Sequence, residues 1–172
     1  MKALFISLLA ALGLTACSSQ KKAEITQEPA KKVLVLYYSQ TGTTESVAKE
    51  IQQQLGADIE AIELENPYEG DFNQTIARCQ EEMAKGETPA VKPLKANIAD
   101  YDIIMLGYPV WFGTYAQPIA GLLSSVDLSG KVVIPFCTFG SGGNTSIDQI
   151  KAKLPNANVL AWYGVRAARI AA

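Results

Sequence analysis

The chain has 172 residues, 48% of them hydrophobic and 19% charged, which excludes a wholly disordered protein and allows one globular domain with a real core. Its formal charge is −2, and beyond residue 32 there are 15 acidic against 10 basic side chains, a net of −5 that argues against nucleic acid as a partner. Histidine is absent, which removes Ser-His-Asp and Cys-His catalysis, histidine metal sites and imidazole proton transfer; three cysteines without metal-like spacing make no zinc site, so any chemistry comes from a cofactor.

Lys2 and the apolar run Ala3 to Leu14 read as a signal peptide covering residues 1–16, because about a dozen apolar residues are too few to serve as a stable membrane span. Leu14-Thr15-Ala16-Cys17 resembles the lipobox of bacterial lipoproteins. That resemblance implies cleavage before Cys17 and lipidation of its thiol; a plain cleavable signal with an incidental cysteine is the alternative. Several acyl chains, at about 0.8 kcal/mol per buried CH₂, anchor a protein without a membrane helix. The stretch from Ser18 to Lys32 is polar and reads as a tether, which leaves residues 33–172 as the folded domain. By the same resemblance, Ser18 after the cysteine points to the outer membrane. The expected location is the bacterial cell envelope, outside the cytoplasm.

Strands and helices then alternate. Val33 to Tyr38 is a short β-branched and aromatic strand, and Thr44 to Leu55 is a helix with Val47, Ile51 and Leu55 on one face. Asp58 to Leu64 follows as a less buried strand carrying Ile59, Ala61 and Leu64, broken by Asn66-Pro67-Tyr68. Phe72 to Lys85 is a helix with Ile76, Cys79 and Met83 on one face and Gly86 as its stop. After an extended Thr88 to Lys95 come a strand at Tyr101 to Tyr108, a helix at Gln117 to Val126, a strand at Lys131 to Cys137, a helix at Ser146 to Leu154 and a last strand at Val159 to Tyr163. Such alternation predicts a doubly wound parallel α/β sheet, here of five strands, with helices on both faces.

Ligands of these sheets bind beyond the carboxyl ends of the strands. Three segments there are unusual. The turn Ser39-Gln40-Thr41-Gly42-Thr43-Thr44 offers hydroxyls at Ser39, Thr41, Thr43 and Thr44, close backbone approach at Gly42, and the free N–H groups of the next helix: a phosphate cradle without a lysine. Hydrogen bonds to a charged group, at about 1.5–3 kcal/mol each, outweigh a helix dipole of about 0.3–1 kcal/mol. The second segment, Pro109-Val110-Trp111-Phe112-Gly113-Thr114, places adjacent large rings where a planar ligand could cover them. In the third, Thr138-Phe139-Gly140-Ser141-Gly142-Gly143, the glycines allow backbone N–H groups to reach a heterocycle.

The first turn resembles the flavodoxin phosphate loop, [S/T]-x-T-G-x-T, at every defined position. The second resembles the flavin loop of a bacterial flavodoxin subgroup and the P-x-x-F-G turn of flavodoxin-like quinone reductases. These resemblances, over residues 33–163, imply a flavodoxin-like three-layer sandwich that binds FMN. Trp111 is then expected to line or stack on the isoalloxazine, and Gly113 to present a backbone group toward flavin N5. FAD is not expected, since no G-x-G-x-x-G turn is present. Three functions stay open: an FMN electron-transfer protein serving a redox partner protein or a small acceptor; an FMN-dependent NAD(P)H quinone or flavin reductase; and a cofactor-free binding lipoprotein. The sequence departs from flavodoxins in its long connection from Asn66 to Asp100, where Tyr68 and Phe72 either form a lid or pack beneath the loop. It also departs after the fifth strand, where nine residues, Gly164 to Ala172, take the place of a final helix. Cys79 and Cys137 are either two buried thiols or a disulfide.

Overall fold

The structure, a computed structural model, describes residues 30–141 and 146–170. The expected signal peptide (residues 1–16), Cys17, most of the expected tether, Gly142 and Gly143 lie outside them. Strand β1 (Val33–Tyr37) leads into helix α1 (Thr43–Leu55), β2 (Asp58–Ala61) and α2 (Phe72–Lys85). Then follow β3 (Ile103–Trp111), β4 (Thr114–Tyr115), α3 (Gln117–Ser125), β5 (Val132–Phe139), α4 (Ser146–Lys153), β6 (Asn158–Val159) and β7 (Tyr163–Arg166). The sheet order is β2-β1-β3-β5-β6, with β7 also beside β5 and every pair parallel except the hairpin β3–β4.

Alternation along the central strands divides the core. Leu34 and Leu36 of β1, Ile104, Leu106 and Tyr108 of β3, and Val133 and Cys137 of β5 face the larger cluster, which α2, α3 and α4 cover through Cys79, Ile119, Leu122 and Ile150. The opposite residues Val35, Tyr37 and Phe136 meet α1 through Ala48. Each large apolar side chain buried this way contributes about 1.5–3 kcal/mol.

α1 covers its face alone. Among the described residues, only a 3₁₀ turn at Ala167–Arg169 follows β7, and Met105, Val132 and Ile134 stay partly exposed while Tyr163 is 65% exposed. The helix buries Thr44 and Ala48 and packs the expected Val47 and Ile51 against the same cluster, while the third residue of the expected stripe, Leu55, is 54% exposed. Its last turn overhangs the short edge strand β2. β2 is the less buried strand expected: Ile59 and Ala61 are exposed, while the expected Leu64, now beyond the strand, is buried together with Ile62. The chain leaves the ladder after Ala61, and an isolated bridge from Leu64 to Val91 holds it, so a period of two cannot predict its inward positions.

α2 spans the expected residues and begins with a capping box between Asp71 and Gln74. It buries Thr75 and Cys79 but leaves Met83 43% exposed. The fifth strand is split into β6 and β7, because the chain at Leu160 to Trp162 leaves the ladder between the two pairings with β5. Cys79 and Cys137 are both buried and are not joined to each other in a disulfide. Burial pushes the Cys79 thiol up to about 11, so it stays protonated at neutral pH.

Candidate functional site

The carboxyl ends of β1, β3 and β5 converge on one edge, and the connection between β2 and β3 folds over them. A cavity of about 600 Å³ opens there. Its walls include Gln40 and Thr41 from the first turn, Pro109, Val110, Trp111 and Phe112 from β3, Gly140 and Ser141 after β5, and the first turns of α2.

The first turn ends the β1 ladder and starts α1 at once. Gly42 occupies the N-cap position with φ 84°, a left-handed conformation that other residues rarely adopt, and no side chain caps the helix. The first N–H groups of α1 are thus left to a ligand or to water. Thr41 and Thr43 bring their hydroxyl oxygens within 3.3 Å of each other on the exposed side. Ser39 Oγ is buried and, among the described residues, has no hydrogen-bond partner. A hydroxyl left that way costs about 1–3 kcal/mol, which an acceptor oxygen arriving in the turn would recover.

The other two residues of the turn, Thr44 and Gln40, do different work. Thr44 is buried, and its hydroxyl lies 2.8 Å from that of Thr138, itself buried near the end of β5. These two side chains pin the start of α1 to β5 and do not open on the cavity. Gln40 likewise turns its amide away from the cradle, accepting from Tyr38 Oη and donating to the Tyr68 carbonyl at 3.1 Å.

The second and third segments are strands for part of their length. β3 continues through Pro109 to Trp111 and returns as β4, with Trp111 opposite Thr114. The two-residue turn between them, Phe112-Gly113, has φ 50° and 79°, both positive as in a type I′ hairpin. The Thr114 hydroxyl donates to Gln149 of α4, tying the hairpin down. A phenylalanine in the left-handed region is strained by about 1–2 kcal/mol. Phe112→Asn, which supplies the preferred Asn-Gly pair, is expected to raise unfolding stability by about 1 kcal/mol in a denaturant titration. Phe112 is 51% exposed, so little packing opposes the gain. β5 runs on through Thr138 and Phe139, and Phe139 packs toward the larger core. Gly140 reaches the cavity, and its carbonyl accepts from Arg166 Nε at 3.1 Å.

Trp111 is held edge-on by Tyr38, which sequence reading did not assign to the site, and by Tyr68, which it placed either in a lid or beneath the loop. Its ring centroid lies 5.9 Å from that of Tyr38 and 5.4 Å from that of Tyr68, with planes at 89° and 84°. Tyr68 is buried, and the Arg78 guanidinium sits 4.2 Å from its ring centre while Glu82 accepts from its hydroxyl. Burial raises both the Tyr38 and the Tyr68 phenols well above their ordinary value, so both remain neutral donors. Of the two expected lid residues, Tyr68 packs beneath, whereas Phe72 stands 77% exposed at the cavity wall. The signal in the sequence was Asp71-x-x-Gln74, a capping box that fixes where α2 begins and so brings Phe72 to the rim.

The sequence family described as Flavodoxin matches residues 32–164. Among solved structures, the chain is similar to a Bacteroides eggerthii protein assigned as a flavoprotein, at 31% identity over 82% of this chain and 94% of that one, with a TM-score of 0.71. A Bacteroides uniformis counterpart is 27% identical over 81% and 95%, with a TM-score of 0.72. A Lactobacillus acidophilus flavoprotein in complex with FMN is 26% identical over 78% and 93%, with a TM-score of 0.70.

Proposed function

The chain belongs to the flavodoxin family, and from that membership we propose that it is an FMN-binding electron-transfer protein tethered to a bacterial membrane. The observation that carries the cofactor is Ser39 Oγ, buried and unpartnered in a turn whose helix lacks a side-chain cap. The residues fit the group. Ser39, Thr41, Thr43 and the first N–H groups of α1 hold the phosphate, all as neutral donors, while Pro109 to Gly113 and Gly140 hold the ring. Thr44 and Thr138 keep cradle and ring loop in register, and the aromatic walls exclude water. FMN supplies the electron-accepting heterocycle; the protein's hydroxyls, amides and rings orient it and set its environment.

A carrier is favoured over a reductase. Among the described residues, the cavity walls contain no Lys or Arg to receive the pyrophosphate of a nicotinamide dinucleotide. Stopped-flow mixing of the FMN-loaded protein with NADPH is therefore expected to leave the flavin absorption in place, and rapid bleaching would make the protein a reductase.

Cys17 carries the anchor in this reading, with Ser18 to Lys32 as its tether, in the cell envelope outside the cytoplasm. The tether meets the domain where the Lys32 carbonyl accepts from the amides of Asp102 and Ile103, at the amino ends of β1 and β3. That edge is opposite the site. An anchor there leaves the flavin edge turned toward a redox partner protein or small acceptor in the aqueous space. Cys17→Ser is expected to move the protein from the membrane fraction to the soluble fraction; retention in the membrane would remove the anchor from the proposal.

A further inference from the structure

Gln40 stands at the first of the two positions of the turn that the family motif leaves open. Its side chain serves two other groups. Oε1 accepts from Tyr38 Oη, and Nε2 donates to the Tyr68 carbonyl at 3.1 Å. These are the two tyrosines whose rings meet Trp111. One amide thus joins the phosphate turn, the end of β1 and the connection after β2.

We propose that Gln40 is a positioning residue for the flavin ring and not a phosphate ligand: through Tyr38 and Tyr68 it fixes the orientation of Trp111. The inference rests on the FMN reading above. Tyr68 is secured on its other side by α2, where Arg78 lies over its ring, donates to the Pro67 carbonyl at 2.8 Å and pairs with Glu82 at 2.9 Å. Gln40 ties that assembly to the phosphate turn. Both tyrosines are buried, at 7% and 5% exposure, and the two bonds are half-buried, so removing the amide takes from a phenol and a carbonyl the partner they have there. Those groups regain partners by shifting toward water, and Trp111 loses its two edge contacts as they do.

The test titrates the full chain with FMN and with riboflavin, which has the same ring and no phosphate. Gln40→Leu is expected to weaken both by about tenfold while leaving the ratio of the two affinities unchanged, and to shift the visible absorption maximum of the bound flavin at saturation. Tyr38→Phe keeps the ring and removes one of the two bonds; it is expected to act in the same direction and stands in should the leucine variant not fold. A loss confined to FMN would make Gln40 a phosphate ligand and overturn the proposal. Unchanged affinities would overturn it too, as would equal losses with an unaltered bound-flavin spectrum, which mark mere structural support. If the unaltered protein binds neither compound, the FMN reading itself falls, and this inference with it.

Discussion

Thr41→Val combined with Thr43→Val is expected to weaken FMN binding by about two to four orders of magnitude and to leave riboflavin binding unchanged. The size follows from the absence of any cation in the cradle. Each hydroxyl donates one charge-assisted hydrogen bond, at about 1.5–3 kcal/mol, so two lost bonds remove about 3–6 kcal/mol. The uncapped end of α1 remains in the variant, but a helix dipole restores only about 0.3–1 kcal/mol. Both threonines lie on the exposed side of the turn, and their mutual contact of 3.3 Å is a weak one, so stability should hardly move. Flavin fluorescence quenching measures both affinities. Equal losses for FMN and riboflavin would show that the hydroxyls shape the turn instead of holding phosphate. Thr44→Val makes a useful contrast: its hydroxyl is engaged with Thr138, so it should cost stability before it costs affinity.

Trp111→Ala is expected to reverse that pattern. FMN and riboflavin should both weaken by about ten- to a hundredfold, in line with about 1–3 kcal/mol for stacking an aromatic side chain on a heterocyclic base. The substitution also removes the edge contacts to Tyr38 and Tyr68, each worth about 0.5–1.5 kcal/mol, so the unfolding midpoint should fall as well. Trp111→Phe restores part of both. Fluorescence titration and thermal unfolding separate the two effects, and a full loss of stability with unaltered ring affinity would place Trp111 in the core only. The two substitutions divide the ligand between phosphate and ring, which is the division the fold itself makes between β1 and β3.

The parts of the molecule governed by local rules were legible in the sequence. Val33 to Tyr38 reads as a buried strand because apolar residues run without interruption, and α2 ends at Gly86 because glycine takes the left-handed cap there. The hydroxyl-rich turn between β1 and α1 was legible for the same reason: its hydroxyls and Gly42 lie within one turn of chain. Direction of side chains was not. The shared residue type of Thr41, Thr43 and Thr44 conceals that Thr44 faces inward to Thr138, a partner supplied by β5. The extension of β3 to Trp111 was hidden by Pro109, which reads as a strand breaker although it still pairs with Thr138 of β5 and the strand continues beyond it in the hairpin with β4. Phe112-Gly113 could have been read as a two-residue turn, had Trp111 been counted as strand. The aromatic assembly of Tyr38, Tyr68 and Trp111 had no local signal at all, because it exists only once β1, β3 and the connection after β2 are folded together.

The most direct test of the central claim compares FMN with riboflavin on the full chain by fluorescence titration. The expected result is one FMN per chain with its emission quenched, held at least a hundredfold more tightly than riboflavin, as two hydrogen bonds to a charged group require. Equal affinity for the two compounds, or no quenching of either, would contradict a phosphate cradle of neutral donors at the end of β1.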